Sequence, residues 1–180
     1  RHYRNEKMDM TYVYEDAECE TGSAVIEIHK ETAENRIIVT TAANEKITAE
    51  EVYAAEAKFA ECDVVLVQHE TSPESIKAAV ELGKKYNKII VLNTAPMRDI
   101  DRSIFAQVDF VTPNETEEEY YSGVKVTDLE TARKAAAALM EQGAKNVLIT
   151  LGKAGAYIKA GDIDTIVPPF TVKAVDTTGA

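Results

Sequence analysis

The chain has 180 residues, 45% of them hydrophobic, with a formal net charge of −11 at pH 7. That length supports one sizeable core in a single domain, and the sequence has no run of about 18 apolar residues that would cross a membrane as a helix. The negative charge is spread along the chain. This disfavours DNA, RNA and anionic lipid, whose binding rests largely on clustered Lys and Arg, but leaves room for a small phosphorylated ligand held by backbone N–H groups and a metal ion.

Arg1-His2-Tyr3-Arg4 includes neither an initiator Met nor an apolar signal segment, so the start reads as cut. Residues 11–14, 24–28 and 36–40 are strand-like runs with no helix between them. Thr48-Ala49-Glu50-Glu51 is a capping box opening a helix to about residue 60. Val64-Val65-Leu66-Val67 follows as an apolar strand buried on both faces. Ser72-Pro73 supplies an N-cap with Pro at the first helical position, starting a helix to about residue 86, and Ile89-Ile90-Val91-Leu92 is the next buried strand. A short element near residues 101–105 leads to Phe110-Val111, which Pro113 ends. Thr127-Asp128-Leu129-Glu130 reads as a second capping box, opening a helix closed by Gly143. Val147-Leu148-Ile149-Thr150 is another strand, and residues 156–159 and 163–167 flank a Gly161-Asp162 turn as a hairpin.

This rhythm predicts an α/β fold, three layers (α/β/α) with a mostly parallel sheet of right-handed βαβ units, helices on both faces and antiparallel strands added at the edge. Cys19 and Cys62 lie far apart without metal-type spacing and read as reduced thiols, which suits a cytoplasmic protein. His2, His29 and His69 form no ligand pattern, and His69, at a strand end, reads as structural or as part of a rim.

Ligands of open α/β sheets collect at the carboxyl ends of the parallel strands. Four polar stretches fall there: Gln68-His69-Glu70, Asn93-Thr94-Ala95-Pro96, Thr112 through Glu117, and Thr150-Leu151-Gly152-Lys153-Ala154-Gly155. Glu70 is either a carboxylate that binds hydroxyls or a solvated charge. Asn114 and Glu117 are either a helix cap with its first-turn acid or a pair that organises phosphate oxygens and hydrated Mg²⁺. The Thr150–Gly155 stretch resembles a glycine-rich nucleotide loop without Walker spacing, or is a plain turn into the hairpin. At the end of the chain, Val175-Asp176-Thr177-Thr178-Gly179-Ala180 has the small residues of an anion-binding turn.

In order and spacing these segments resemble the ribokinase-like carbohydrate kinases over most of the chain. The resemblance implies that Glu70 binds the sugar, Asn114 contacts nucleotide phosphates, and Glu117 helps position Mg²⁺. It also implies that Thr150, Leu151, Gly152, Lys153, Ala154 and Gly155 line the ATP site, largely through backbone. Asp176 and Thr178 would hold an activating monovalent cation, K⁺, while Gly179 and Ala180 would begin the anion hole. The family's catalytic Asp follows that loop, so the chain reads as an incomplete single domain, inactive alone, with residues 1–28 including part of a lid and residues 29–180 the α/β core. The implied reaction is ATP-dependent phosphorylation of D-ribose to ribose 5-phosphate, with pairing of two copies through the lid strands. Asn93-Thr94-Ala95-Pro96 departs mildly from the family's Asn-Pro-Ala-Pro. Fructose, a ketodeoxy sugar acid or a nucleoside remain alternative acceptors, and a catalytically silent ligand-binding relative is the alternative of another class.

Overall fold

The structure is a computed structural model and describes residues 2–29 and 35–171. After a short helix, α1 (His2–Asn5), residues 11–12 form a turn and residues 13–14 are irregular, where a strand was expected over 11–14. Asp9 is the cause: its Oδ1 accepts from the Thr11 N–H at 3.0 Å and from the Thr11 hydroxyl at 2.6 Å. A short acidic side chain bonding the backbone two residues on competes with a sheet ladder. The strands β1 (Ser23–Ile28) and β2 (Asn35–Thr40) form a separate two-stranded antiparallel sheet, with Val25 opposite Ile38 and Ile26 opposite Ile37. Its apolar side chains point to both faces and stay exposed.

A 3₁₀ turn (Ala42–Lys46) leads to two short helices, α2 (Ala49–Ala54) and α3 (Glu56–Glu61), in place of one continuous helix. The expected capping box forms, with Thr48 Oγ1 accepting from the Glu51 N–H and Glu51 Oε2 accepting from the Thr48 N–H. The break falls at Ala55, where the Ala55 N–H bonds the Val52 carbonyl and the Lys58 N–H bonds the Ala55 carbonyl, both tightened to 3₁₀ spacing.

Among the described residues the main sheet has six strands in sequence order: β3 (Val64–Gln68), β4 (Ile89–Asn93), β5 (Phe110–Thr112), β6 (Asn146–Thr150), β7 (Ala156–Ala160) and β8 (Ile163–Val167). The pairings from β3 to β6 are parallel, and β7 and β8 add on antiparallel, as the sequence suggested. The helices α4 (Pro73–Lys85), α5 (Glu115–Ser122) and α6 (Leu129–Glu141) fill the crossovers, with a 3₁₀ turn (Arg102–Gln107) before β5. The capping box of α6 lies one residue later than expected. Asp128 is the N-cap and Thr131 its partner, because Asp128 Oδ1 receives the Thr131 N–H at 2.8 Å and Thr131 Oγ1 receives the Asp128 N–H at 2.9 Å.

Strands laid down in sequence order with right-handed crossovers put their helices on one face. A Cβ on Gly83 of α4 would stand 2.9 Å from the Ile90 side chain. On α6, Arg133 reaches Asp164, which also receives the hydroxyl of Tyr157. Ile90, Leu92, Val111, Val147, Ile149 and Tyr157 are accordingly buried beneath α4 and α6. Each such side chain contributes roughly 1.5–3 kcal/mol when fully buried. The opposite face leaves Val64, Leu66 and Ile89 at 48%, 70% and 49% exposure. Burial of β3 on both faces is thus not observed, because among the described residues β3 is an edge strand with helix cover on one side.

Candidate active site at the strand tips

The parallel register brings the four strand ends to one line: Gln68 pairs with Asn93, Asn93 with Thr112, and an isolated parallel bridge joins Asn114 to Thr150. The Thr150 N–H bonds the Pro113 carbonyl at 3.0 Å, locking the last two tips together. The loops singled out from sequence therefore share one rim.

At its centre is Asn114, the N-cap of α5. Its Oδ1 accepts from the N–H groups of Thr116 and Glu117, both at 2.9 Å. Glu117 answers: Oε2 receives the Asn114 N–H at 3.0 Å and Oε1 receives Asn114 Nδ2 at 2.8 Å. Glu117 Oε2 also accepts from the hydroxyl of Thr94 at 2.9 Å, with Thr94 fully buried. The helix-cap reading of this pair is what the geometry displays. A carboxylate offers about four lone-pair sites, so three accepted bonds leave one direction for a water.

On the β3 side, the His69 N–H bonds the Ala95 carbonyl at 2.9 Å, and His69 Nδ1 lies 3.1 Å from the Thr94 carbonyl. An imidazole nitrogen facing a carbonyl must carry the proton, which assigns the neutral tautomer with hydrogen on Nδ1. Burial depresses the His69 pKa, and Arg98 adds to this; the Thr94 and Pro96 carbonyls and Glu117 act the other way. His69 is a buried structural residue. Beside it, Glu70 projects into solvent from a turn. Asn93 shapes the facing loop, its Oδ1 taking the Ala95 N–H at 2.9 Å ahead of a cis Ala95–Pro96 peptide.

The segment after β6 is a 3₁₀ turn (Gly152–Ala154) closed by bonds from the N–H groups of Leu151, Ala154 and Gly155 to Gly155, Leu151 and Gly152 carbonyls. The N–H groups of Gly152 and Lys153 take no part in these bonds. Gly152 has φ +48° and open space where a Cβ would stand, whereas a Cβ on Gly155 would overlap the Val167 carbonyl. Leu151 turns its side chain into the core, so it offers only backbone, while Lys153 and Ala154 are exposed. Asp176, Thr178, Gly179 and Ala180 lie outside the described residues.

Three participants were missed from sequence, because nothing local marks them. Arg98 donates through Nη1 to the carbonyls of His69 and Thr71. Tyr121 bonds the backbone of Arg98. Glu118, next to Glu117, is fully buried with neither oxygen hydrogen-bonded among the described residues, and burial pushes its pKa up to about 8 against a weaker opposing effect of Ser122. A cavity of about 960 Å³ borders the rim beside Gln68 and Thr71, and one of about 710 Å³ beside His69 and Arg98.

The capped Asn/Glu pair, the glycine turn and the exposed Glu thus stand at the carboxyl ends of the parallel strands, where open α/β sheets generally bind ligands. The profile of the pfkB family of carbohydrate kinases matches residues 1–180, and the chain belongs to that family. It is 34% identical to a ribokinase of Haemophilus influenzae, over 99% of this chain and 58% of that protein. It is likewise 34% identical to a deoxyribokinase of Salmonella typhi, over 96% of this chain and 56% of the relative. The chain thus spans a little over half the length of the curated relatives it matches. Among solved structures it is similar to a ribokinase of Giardia lamblia, with a TM-score of 0.84 and 27% identity over 98% of this chain and 57% of that one. It also matches an Arabidopsis thaliana ribokinase complexed with ribose and ATP, with a TM-score of 0.72 and 25% identity over 88% of this chain and 52% of that one.

Proposed function

We propose that the full-length protein transfers the γ-phosphoryl group of ATP to a hydroxyl of a pentose, D-ribose giving ribose 5-phosphate and ADP. The observation that carries this reading is the single rim on which Glu70, Asn114, Glu117 and the Gly152 turn stand together in a pfkB-family chain. The bond between the γ-phosphorus and the ADP oxygen breaks, a bond to the sugar oxygen forms, and the hydroxyl proton leaves to a base.

The residues fit such a ligand. The N–H groups of Gly152 and Lys153 are not used within their turn, and no described atom comes within 4 Å of where a Gly152 Cβ would stand. Among the described residues no three acidic, His or Cys side chains cluster into a direct chelate. This suits Mg²⁺, which keeps several waters and is held mainly through substrate phosphates. Mg²⁺, when bound, offsets the charge on the phosphates during transfer. Asn114 and Glu117 would orient its hydration shell, with the Glu117 carboxylate held in place by its three donors. Glu70, exposed and acceptor-only when ionised, would bind sugar hydroxyls. Asp176 and Thr178 would serve K⁺, with Gly179 and Ala180 opening the anion hole.

One observation favours a second acceptor: the deoxyribokinase relative is as similar as the ribokinase. ADP release by the full-length protein, measured against D-ribose, 2-deoxy-D-ribose, D-fructose and a nucleoside, separates these. The highest kcat/KM is expected with D-ribose. A preference for 2-deoxyribose would reassign the acceptor, and no ADP release with any of them would overturn the kinase reading.

The β1–β2 sheet supports pairing of two copies. A lone two-stranded sheet is marginal in water, yet Val25, Ile37 and Val39 are more than half exposed. Light scattering should report a dimer for the full-length protein and a monomer for Ile37→Lys; an unchanged mass for the variant would exclude this interface.

A further inference from the structure

We infer that Arg98 and Tyr121 form a latch that couples sugar binding at the Glu70 turn to nucleotide binding at helix α5, an inference that rests on the proposed kinase reading. Arg98 Nη1 donates to the His69 carbonyl at 3.1 Å, to the Thr71 carbonyl at 3.0 Å and to Glu45 Oε1 at 3.3 Å. Nη1 carries two hydrogens, so three acceptors require one of them to be shared. The two carbonyls flank Glu70. One charged nitrogen therefore grips the turn from both sides of the carboxylate without touching the carboxylate itself, and charge-assisted bonds of this kind are roughly twice as strong as neutral ones.

The other end of the latch is the Arg98 backbone. The Tyr121 hydroxyl donates to the Arg98 carbonyl at 2.9 Å and accepts from the Arg98 N–H at 3.3 Å. Tyr121 is nearly fully buried, edge-on to Phe105 with ring centroids 5.6 Å apart, so its hydroxyl has a fixed position. Tyr121 lies one helical turn beyond Glu117 on the same side of α5. Glu117 in turn holds Thr94, only a few residues before Arg98. The loop after β4 is thus pinned to α5 at two points and grips the Glu70 turn at a third. Ordering either end restricts the other, which is the condition for a coupling free energy between two sites. A reason for arginine at position 98 follows: its long planar group reaches three acceptors on two segments, while its stem stays with the β4 loop.

The test uses full-length protein and titration calorimetry. The dissociation constant for D-ribose is measured with and without saturating Mg²⁺ and a non-hydrolysable ATP analogue, and the ratio is the coupling factor. Wild-type coupling within the usual range of about 5–150-fold is expected. Tyr121→Phe removes one hydroxyl and should bring the factor several-fold nearer unity while leaving the analogue's own affinity within about threefold. Arg98→Met should weaken ribose alone by about tenfold or more and also collapse the factor, and the double variant should lose no further coupling, because both act through one latch. Simple loss of stability would weaken both ligands without changing the ratio, and melting curves of each variant separate that case. Coupling of wild-type size in both variants overturns the latch, as does a wild-type factor of one. A wild-type protein that binds neither ligand overturns the kinase reading itself.

Discussion

Replacing Thr94 by Val keeps the shape of a fully buried side chain and deletes one hydroxyl, the donor to Glu117 Oε2 at 2.9 Å. Glu117 is only 5% exposed, so water has little access to replace the lost bond. A hydrogen bond to a charged group contributes about 1.5–3 kcal/mol, and a buried acceptor left short of a partner adds to the loss. At roughly 2–4 °C per kcal/mol, Thr94→Val should melt on the order of 3–10 °C below wild type. Thermal unfolding of the full-length protein followed by circular dichroism measures this directly. Glu117→Ala alone and combined with Thr94→Val completes a double-mutant cycle, in which a coupling of about 0.5–3 kcal/mol is expected for a contacting pair. A Thr94→Val melting point within 1 °C of wild type, or strict additivity in the cycle, would refute the claim that Thr94 anchors Glu117.

Glu118 sets a pH dependence. Its folded pKa of about 8 is above the ordinary carboxyl value of 4.5, so the folded state binds the extra proton. Its contribution is complete below about pH 4.5 and is lost as pH rises to 8, at roughly 1.4 kcal/mol per unit. Urea titrations across that window should show a flatter decline for Glu118→Gln, and identical slopes would contradict the assignment. His69 has the opposite sign: its depressed pKa means stability is lost as pH falls below about 6.5, and His69→Asn should flatten that acid limb in the same titrations. The two glycines of the β6 turn should also separate. Gly155→Ala overlaps the Val167 carbonyl at φ +96°, while Gly152→Ala meets open space and bears only the left-handed strain of about 1–2 kcal/mol. Equal melting points for the two variants would count against the close approach at Gly155.

Local chemistry carried much of the fold. Thr48 with Glu51, Ser72 with Pro73, and Asn114 with Glu117 all start helices where their sequence patterns indicated. The apolar runs at 64–67, 89–92 and 147–150 became adjacent parallel strands or their near neighbours in one sheet. Competition between equally plausible local partners blurred other boundaries. Asp128 displaced Thr127 as the cap of α6, and Asp9 drew Thr11 into a turn. The exposure of Leu66 depends on what lies beside β3, which a strand's own composition does not record. The site shows the same division. Asn114 and Glu117 are three residues apart and were legible, whereas Thr94 meets Glu117 across 23 residues and Arg98 meets Glu45 across 53. The first contact depends on the register of β4 beside β5, and the second joins the loop after β4 to the 3₁₀ turn before α2.

Amide hydrogen exchange on the full-length protein, with Mg²⁺ and the ATP analogue added separately from D-ribose, tests the shared rim most directly. The nucleotide should protect the amides of Asn114, Gly152 and Lys153, and ribose should protect the turn around Glu70. Protection by the nucleotide confined to segments away from the ends of β5 and β6 would contradict the account.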